Sequence, residues 1–337
     1  MRVLITGGAG MLGRRLAARL VADGGVGGRP VEVMRLLDVA AAACAPALQA
    51  GAVAIETVTG DLAAPGVAAA AVAERPELIF HLAAVVSGEA EADFDKGYRV
   101  NLDGTRALLE AIRAAGDGYV PRLVFSSSIA VFGPPFPDVI EDDQPTTPAT
   151  SYGTEKAIGE LLLADYTRRA LLDGVGIRLP TICVRPGRPN RAASGFFSGI
   201  IREPLNGDPA ALPVSVDVRH WFASPRAAVR FLIHAASLDG AAIGPRRSLT
   251  MPGVSATVAD QIEALRRVAG DEAVALIHPE RDETIAAIVA GWPRSFDARR
   301  AHDLGFRAER SFDEIVWAHV EDELGGMVPS LPDPPGG

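Results

Sequence analysis

The sequence predicts an α/β fold in which a doubly wound parallel sheet is followed by a smaller, mixed C-terminal lobe. From residue 2 to about residue 184, short apolar runs rich in β-branched residues alternate with segments whose apolar residues recur at helical spacing. Beyond residue 185 this alternation breaks down, which indicates a second region added to the parallel sheet. With 337 residues, the chain is long enough for one large α/β domain or for two lobes.

The first element combines a predicted strand at residues 2–6, a glycine-rich turn and a helix. Three leucines after the turn recur at helical spacing: Leu12, Leu16 and Leu20. Gly7 allows the tight turn, Gly10 lets the backbone approach a pyrophosphate, and Gly13 lets the helix pack closely on the strand. This order predicts a Rossmann-type dinucleotide site with the phosphates at the helix N-terminus. Because the spacing is G-x-x-G-x-x-G, an ordinary strand-to-helix turn is the alternative.

The next two predicted strands are followed by acids that suit a dinucleotide. Residues 31–37 form a predicted strand that ends at Asp38. A carboxylate there accepts a hydrogen bond from the adenosine ribose and repels a 2′-phosphate, so it favours NAD over NADP. A helix N-cap or a loop acid is the alternative for Asp38. Residues 53–58 form the next predicted strand, and Asp61 beyond it is placed to reach the adenine edge.

Small residues follow the strand predicted over 78–84. Ala83 and Ala84 at its end leave room for a cofactor to lie close to the backbone. His81 is expected to be a packed strand histidine rather than a catalyst. Ser87, in the loop that follows, is placed to touch a substrate.

Three further elements complete the predicted parallel sheet. A helix is predicted over 101–115, and Asn101 is a possible cap for it. A strand over 123–125 runs into three consecutive serines, and a proline-rich loop follows. The strand predicted over 177–184 is interrupted by Pro180, which suggests an edge, an end or a bulge.

A phenol and an ammonium lie four residues apart in a helix predicted over 152–172. Tyr152 and Lys156 therefore share one face of that helix. A cation beside a tyrosine favours its phenolate and lowers its pKa, so that it can take a proton from an alcohol. Only two of the 33 basic residues are lysines, Lys96 and Lys156, so a lysine at this place carries weight. Ser128 adds a hydroxyl that could bind the same substrate oxygen.

The last part of the chain has a different rhythm. Helices are predicted over 196–205, 225–237, 258–269 and 284–290, and an extended segment over 249–251. We expect an NAD-binding domain and a substrate-binding lobe. The expected boundaries are 1–180 for the NAD-binding domain with 215–245 returning to it, 181–214 and 246–328 for the lobe, and 329–337 for a loose tail.

Composition excludes several classes of partner. The net charge of −9 argues against nucleic acids and anionic membranes. The two cysteines, Cys44 and Cys183, have neither disulfide nor metal spacing, which fits a reduced, cytoplasmic setting without a metal site. The sequence contains no run of about 18 apolar residues that would predict a membrane span. Met1 leads directly into the first strand, so we expect no signal peptide.

Together these segments resemble the extended short-chain dehydrogenases/reductases, the superfamily of nucleotide-sugar epimerases and dehydratases. The resemblance rests on TGGAGMLG, Asp38, GDL, FHLAA, NLDGT, FSSSIAVFG and YGTEK, which span about the first 185 residues. It implies NAD as cofactor and Ser128, Tyr152 and Lys156 as catalytic residues, with Pro180 beside the nicotinamide. The expected cofactor-binding residues are Gly7, Gly10, Met11, Leu12, Gly13, Asp38, Asp61, Leu62, Ala83, Ala84, Asn101, Ser126, Tyr152, Lys156 and Pro180.

Further segments resemble one subgroup, whose members oxidise the 2-hydroxyl of a small sugar acid with NAD. These segments are AAVVSGEAEADFDKGYRVNLDGT, RLPTICVRPGRPN, SGIIREPLNG and DVRHWFASPRAAV. Ile129 and Ala130 stand where dehydratases have an acid pair, and residues 219–221 depart from the epimerase pattern. The expected substrate-binding residues are Ser87, Ser128, Tyr152, Arg185 and Asn190. Arg185 is the first choice for the carboxylate, because it follows the strand that passes the nicotinamide, and Arg188, Arg219 and Arg226 are the alternatives.

Three functions stay open at this point: an NAD-dependent dehydrogenase of a small hydroxy acid, an NAD-dependent nucleotide-sugar epimerase, and an NAD-sensing module without turnover. Net production of NADH separates the first from the second, because an epimerase returns its hydride. The resemblance also implies a homodimer formed through the helices at 101–115 and 152–172.

Overall fold

Seven parallel strands form the main sheet, and the other strands of the described residues form three smaller sheets. The computed structural model describes residues 1–41, 53–187 and 193–328. Its strands are β1 (Arg2–Thr6), β2 (Gly25–Val26), β3 (Arg29–Pro30), β4 (Val33–Asp38), β5 (Ala54–Thr59), β6 (Leu78–His81), β7 (Arg122–Ser128), β8 (Asp173–Leu179), β9 (Thr181–Ile182), β10 (Ala210–Leu212), β11 (Arg219–Ala223), β12 (Ser248–Thr250), β13 (Val254–Thr257) and β14 (Ile277–Pro279). The predicted Rossmann-type α/β fold is confirmed.

Helices cover both faces of this sheet. They are α1 (Met11–Asp23), α2 (Val67–Val72), α3 (Ser87–Ala92), α4 (Phe94–Gly97), α5 (Gly104–Ala114), α6 (Ser151–Arg168), α7 (Gly195–Leu205), α8 (Pro225–Ser237), α9 (Gly240–Ile243), α10 (Val258–Ala275), α11 (Glu283–Ala290), α12 (Arg299–Asp303) and α13 (Phe312–Glu323). A π-helical turn over Tyr98–Asp103 joins α4 to α5, and a 3₁₀ turn over Ile129–Val131 follows β7. None of the helices in the described ranges is long and apolar enough to cross a membrane.

The order of the strands creates a crevice in the middle of the sheet. The order is β12-β8-β7-β6-β1-β4-β5, so the chain runs outward from β1 in one direction and then returns to fill the other side from β6. Thr6 at the end of β1 lies level with His81 at the end of β6. Ligands of open α/β sheets bind outside the carboxyl ends of the strands at such a reversal point. The glycine turn after β1 therefore opens into this crevice.

Apolar residues pack on each face of the sheet because neither face meets water. On one face, α1 buries Leu16 and Leu20 beside Phe231 of α8. On the other face, Leu108 of α5 and Leu163 of α6 pack in a second cluster. Burial on both sides explains why the strands are near-continuous apolar runs rather than alternating ones.

The second lobe has its own core. Strands β9, β11 and β13 form a three-stranded sheet, and β10 pairs with β14. Phe197 of α7, Phe222 of β11 and Ile315 of α13 lie in one buried cluster. The expected domain boundaries stay a prediction. Within those ranges, α8 packs on the main core, whereas β12 pairs with β8 in the main sheet although it falls inside 246–328.

Several expectations about elements differ from the structure. The strand expected over 78–84 ends at His81, and the expected loop that contains Ser87 forms helix α3. The helix expected over 101–115 begins at Phe94, because the Asp93 carboxylate accepts the Lys96 backbone N–H and caps it there. Asn101 is therefore inside a helical run and does not cap it. Helix α13 was not expected at all. Pro180 stands between β8 and β9, which agrees with its interpretation as a strand end. The expected tail at 329–337 lies outside the described residues.

Candidate active site

The glycine turn between β1 and α1 leaves no room for side chains at two positions. Gly7 has a φ of +75°, and a Cβ on it would lie 2.7 Å from the Ala83 backbone nitrogen. A Cβ on Gly13 would lie 2.2 Å from the Gly7 carbonyl oxygen, so the helix packs directly on the turn. Gly10 is the N-cap of α1 and provides no side-chain cap. The first N–H groups of the helix, near Met11 and Leu12, thus form the kind of cradle that binds a pyrophosphate.

Asp38 and Asp61 both lie at the carboxyl edge of the sheet. One carboxylate oxygen of Asp38 accepts the Ala9 N–H at 2.9 Å, which ties the end of β4 to the glycine turn. The other accepts the Ala40 N–H at 3.1 Å. Asp61 accepts the Ala63 N–H at 3.0 Å and forms an ion pair with Arg99, beside the buried Leu62. Asp38 therefore braces the turn with the same carboxylate that we propose binds the adenosine ribose.

The segment after β6 is tied to the helices beneath it by Asn101. Its side-chain oxygen accepts the Val85 N–H at 2.8 Å, and its nitrogen donates to the Val85 carbonyl at 3.2 Å. The same nitrogen donates to the Glu155 carboxylate at 2.6 Å. Ala83 and Ala84 lie in this braced segment. A direct contact of Asn101 with the cofactor stays a prediction, and its observed role is to position the segment.

The residues expected to be catalytic come together above β7. Ser128 is the last residue of that strand, and Tyr152 and Lys156 lie in the first turns of α6. The Thr150 hydroxyl caps the helix by accepting the Gly153 N–H at 3.0 Å. Lys156 Nζ lies 5.7 Å from the centre of the Tyr152 ring. It donates to the Ser126 carbonyl at 2.8 Å, so its position is fixed by the same strand that carries Ser128.

Burial is the main influence on the pKa values of Tyr152 and Lys156. Burial raises the pKa of Tyr152 to about 12, and a hydrogen bond with Ser128 offsets part of the rise. Burial lowers the pKa of Lys156 to about 8, although Glu155 and Glu160 oppose this change. The sequence argument expects Lys156 to lower the pKa of Tyr152, whereas in this structure burial has the larger effect and the pKa of Tyr152 is raised. The Lys156 ammonium binds the Ser126 carbonyl and lies over the Tyr152 ring.

The expected substrate residues divide into described and undescribed ones. Ser87 begins α3 and is half-buried. Arg185 follows β9 and is also half-buried, with its guanidinium donating to the Ser194 hydroxyl at 3.0 Å. Burial lowers the pKa of Arg185, and a neighbouring Arg202 adds to the effect. Asn190 lies outside the described residues.

His81 is a packed histidine, as the sequence argument expected. It is 2% exposed, and burial lowers its pKa to about 3. Thr105 donates its hydroxyl hydrogen to the Asn101 carbonyl at 2.6 Å, so it can only accept from His81 Nε2, which is 2.9 Å away. His81 Nδ1 then accepts from the Thr6 hydroxyl at 2.7 Å. This chain of directed hydrogen bonds joins β1, β6 and the π-helical turn.

Sequence reasoning missed a buried acid one turn beyond Lys156. Glu160 accepts the Ser127 hydroxyl at 2.6 Å and binds Arg178 of β8 through both carboxylate oxygens. The pair is almost fully buried, and the Arg178 guanidinium lies 4.9 Å from the centre of the Phe132 ring. The available signal was an acid on the same face of the helix as Lys156, at a spacing of four.

Comparison with known proteins gives the class of this site. Residues 3–237 match the NAD dependent epimerase/dehydratase family, and the chain belongs to that family. The predicted family and the predicted cofactor, NAD, are confirmed, as is an enzyme that acts on CH–OH groups. Gly7, Gly13, the uncapped start of α1 and the Asp38 carboxylate fit a bound dinucleotide.

Individual proteins that are similar to this chain are more specific than the family match. The chain is 51% identical to D-erythronate dehydrogenase of Cupriavidus necator over 96% of this chain and 98% of that protein. It is 40% identical to D-erythronate dehydrogenase of Haemophilus influenzae over 96% of this chain and all of that protein (100%). A crystal structure from Agrobacterium tumefaciens, described as a nucleoside-diphosphate-sugar epimerase, is 60% identical with a TM-score of 0.95, covering 98% of this chain and 96% of that chain.

Proposed function

We propose that this protein oxidises the 2-hydroxyl of a small sugar acid of the D-erythronate class to the 2-keto acid, with NAD as the oxidant. The observation that carries this proposal is the likeness to D-erythronate dehydrogenases across almost the whole chain, including the second lobe. The site supports it, because Ser128, Tyr152 and Lys156 are together at the carboxyl edge of the sheet. The backbone after Ser128 enters a 3₁₀ turn of apolar residues, without the acid pair of a dehydratase.

The proposed mechanism assigns one task to each side chain. Ser128 donates a hydrogen bond to the substrate 2-oxygen and holds it beside the Tyr152 phenol oxygen. Tyr152, as phenolate, takes the proton of the hydroxyl. Lys156, held by the Ser126 carbonyl, places a positive charge next to the tyrosine and stabilises that phenolate. NAD held at the glycine turn and Asp38 would supply the hydride acceptor for the carbon that carries the 2-hydroxyl.

Arg185 is the proposed ligand of the substrate carboxylate. In the described part of the chain its guanidinium binds a serine hydroxyl, and no carboxylate is among the groups that shift its pKa. A half-buried guanidinium without a carboxylate suits a bidentate pair with an acid substrate. Ser87 and Asn190 are proposed to bind the hydroxyls.

Replacing this arginine tests the assignment. Arg185→Met should raise the KM for the acid by at least about tenfold, the loss expected for one charge-assisted hydrogen-bonded pair. The KM for NAD should change little. Steady-state kinetics with each substrate varied in turn give both values. Equal wild-type activity on the acid and on its uncharged lactone would remove the need for any carboxylate-binding arginine.

A nucleotide-sugar epimerase is the second candidate, favoured by the name of the Agrobacterium tumefaciens structure. The two functions differ in whether NADH accumulates. We expect D-erythronate and NAD to give a continuous rise in NADH absorbance, and UDP-sugars to give neither NADH nor an epimerised product. Epimerisation of a nucleotide sugar without net NADH would overturn the proposed function.

The assembly and the location of the enzyme are also proposals. We infer a homodimer that forms through α5 and α6. Leu161 on α6 is 70% exposed and Phe94, at the start of the helical run that leads to α5, is 57% exposed, and an interface through these helices would cover both side chains. A cytoplasmic setting is proposed from the cysteine content.

A further inference from the structure

A buried histidine of the second lobe touches the strand on which the chain leaves the active site. His220 in β11 is 2% exposed. Its ring stacks on Phe197 with centroids 5.5 Å apart, and Trp292 and Phe222 lie at 5.2 Å and 5.4 Å. These apolar neighbours disfavour a charge, and burial lowers the pKa of His220 to about 4. The imidazole is therefore neutral near pH 7 and carries one ring hydrogen.

The position of that hydrogen is fixed by the partners of the ring. His220 Nδ1 lies 2.8 Å from the Pro293 carbonyl oxygen, which can only accept, so Nδ1 carries the hydrogen. Nε2 is then an acceptor, and the Thr181 hydroxyl 2.7 Å away must donate to it. A threonine hydroxyl has one hydrogen and two lone pairs. The Thr181 oxygen thus offers only lone pairs to anything else that approaches it.

Thr181 lies just beyond the carboxyl end of β8, the edge of the sheet at which ligands of open α/β sheets bind. It comes directly after Pro180, beyond the carboxyl end of β8, and is half-buried. In the pairing of β7 with β8, the catalytic Ser128 is level with Leu179, two residues before Thr181. A chain that continued straight beyond β8, with a rise of about 3.3 Å per residue and a strand spacing of about 4.8 Å, would place the backbones of Ser128 and Thr181 roughly 8 Å apart. A four-carbon chain can bridge that distance.

We infer that Thr181 accepts a hydrogen bond from a hydroxyl of the sugar acid, at C3 or C4, and that His220 orients it for this purpose. This inference rests on the proposed function. Thr181 would select for a hydroxyl donor, and His220 is a positioning residue that acts through Thr181.

The same polarity gives the substrate a direction. An oxygen that presents only lone pairs repels a carboxylate, whereas Arg185, four residues further along the chain, attracts one. The acid end of the substrate should therefore point toward Arg185 and its hydroxyl end toward Thr181. A site that hydrogen-bonds a substrate hydroxyl discriminates strongly against the analogue that lacks it.

A cycle of two variants and three substrates tests this inference. Thr181→Val removes the hydroxyl with little change in shape, and Thr181→Ser keeps it as the matched control. Each is assayed for kcat/KM with D-erythronate and with its 3-deoxy and 4-deoxy analogues. Thr181→Val should lose at least about tenfold on D-erythronate but less than about twofold on one of the analogues. Thr181→Ser should stay within about threefold of the wild type on all three.

His220→Leu separates positioning from structure. It should lower the ratio of kcat/KM for D-erythronate to that for the sensitive analogue, because an unanchored Thr181 hydroxyl no longer has a fixed polarity. Thermal unfolding of each variant shows whether it is folded. Equal losses of Thr181→Val on all three substrates would overturn this inference alone. Absence of NADH from the wild type with every substrate would overturn the proposed function and this inference with it.

Discussion

At the scale of single residues, Tyr152 and Lys156 show what a sequence motif can predict and what it cannot. The sequence places them on one helix face, and the structure brings them beside Ser128. The sequence cannot give their protonation, because burial raises the pKa of Tyr152 to about 12 and lowers that of Lys156 to about 8. Burial depends on the whole fold and not on a spacing of four.

Removing the phenol oxygen is the most direct test of the mechanism. Tyr152→Phe should lower kcat by at least about a hundredfold, since it removes a positioned acid–base group. NAD binding, measured by fluorescence titration, should stay within about twofold, because the glycine turn and Asp38 are untouched. A variant with near-normal turnover would exclude Tyr152 as the base.

Other residues had no usable signal in the sequence. Thr181 belongs to no motif, and the role inferred for it rests on its contact with His220, which is distant in the chain. Asn101 had a signal as part of NLDGT, but its contacts with Val85 and Glu155 depend on tertiary packing. Motifs thus identify residues that act through local spacing, and they miss residues that act through a partner elsewhere.

At the scale of elements, the buried Glu160 and Arg178 join α6 to the end of the main sheet. The carboxylate also accepts the Ser127 hydroxyl, so one acid fixes the strand segment that carries the serines. Removing one member of a buried ion pair leaves an uncompensated charge. The positions of Lys156 and Ser128 therefore depend on this pair.

A double-mutant cycle measures that dependence. Glu160→Leu should lower the free energy of unfolding by about 3–5 kcal/mol, and adding Arg178→Met should restore most of the loss. Urea unfolding gives each value. Asp165→Ala on the same helix breaks an exposed pair with Arg168 and should cost less than about 1 kcal/mol. No recovery in the double variant would mean that the pair is not the linkage between these elements.

His81 joins three elements and makes them sensitive to acid. Its pKa is about 3 in the folded protein and 6.5 as the unperturbed value, so the unfolded chain binds more protons between these limits. The contribution of His81 to the stability of the folded protein is therefore fully present above pH 6.5, and it is lost as the pH falls toward 3. The loss per histidine is at most about 1.4 kcal/mol for each pH unit.

Unfolding free energies measured from pH 7 to pH 4 check this expectation. His81→Asn should be less stable than the wild type at pH 7 but should show a shallower dependence on pH. The exposed His278→Asn is the control, and it should keep the wild-type slope. A slope that is unchanged in His81→Asn would show that other groups govern the acid sensitivity.

At the scale of the whole molecule, the parallel sheet was the most predictable part. Its strands are continuous apolar runs and its turns carry glycine and small residues, so local patterns define it. The second lobe was not, because β9, β10 and β14 have only two or three residues each and pair with distant strands. Strands this short lack a periodicity of their own, and tertiary contacts decide where they form.

The proposed dimer is the prediction that belongs to this scale. Leu161→Glu places a charge on the exposed apolar face of α6 and should shift the protein from dimer to monomer. Sedimentation velocity measures the shift. Ile288→Glu, on α11 of the second lobe at a residue that is 45% exposed, should leave the assembly unchanged. A wild-type protein that sediments as a monomer at micromolar concentration would contradict the dimer.

Pro180, the single residue between β8 and β9, limits the ways in which the substrate specificity of this enzyme could evolve. Pro180 is the whole connection between β8 of the main sheet and β9 of the three-stranded sheet, so no loop separates these two strands. Side chains alternate along a strand, so an insertion or a deletion here would invert which face each following residue presents. New specificities are therefore accessible by replacing side chains at existing positions. Lengthening or shortening the chain at this junction would instead reverse the faces of β9 and separate its side chains from those of the main sheet.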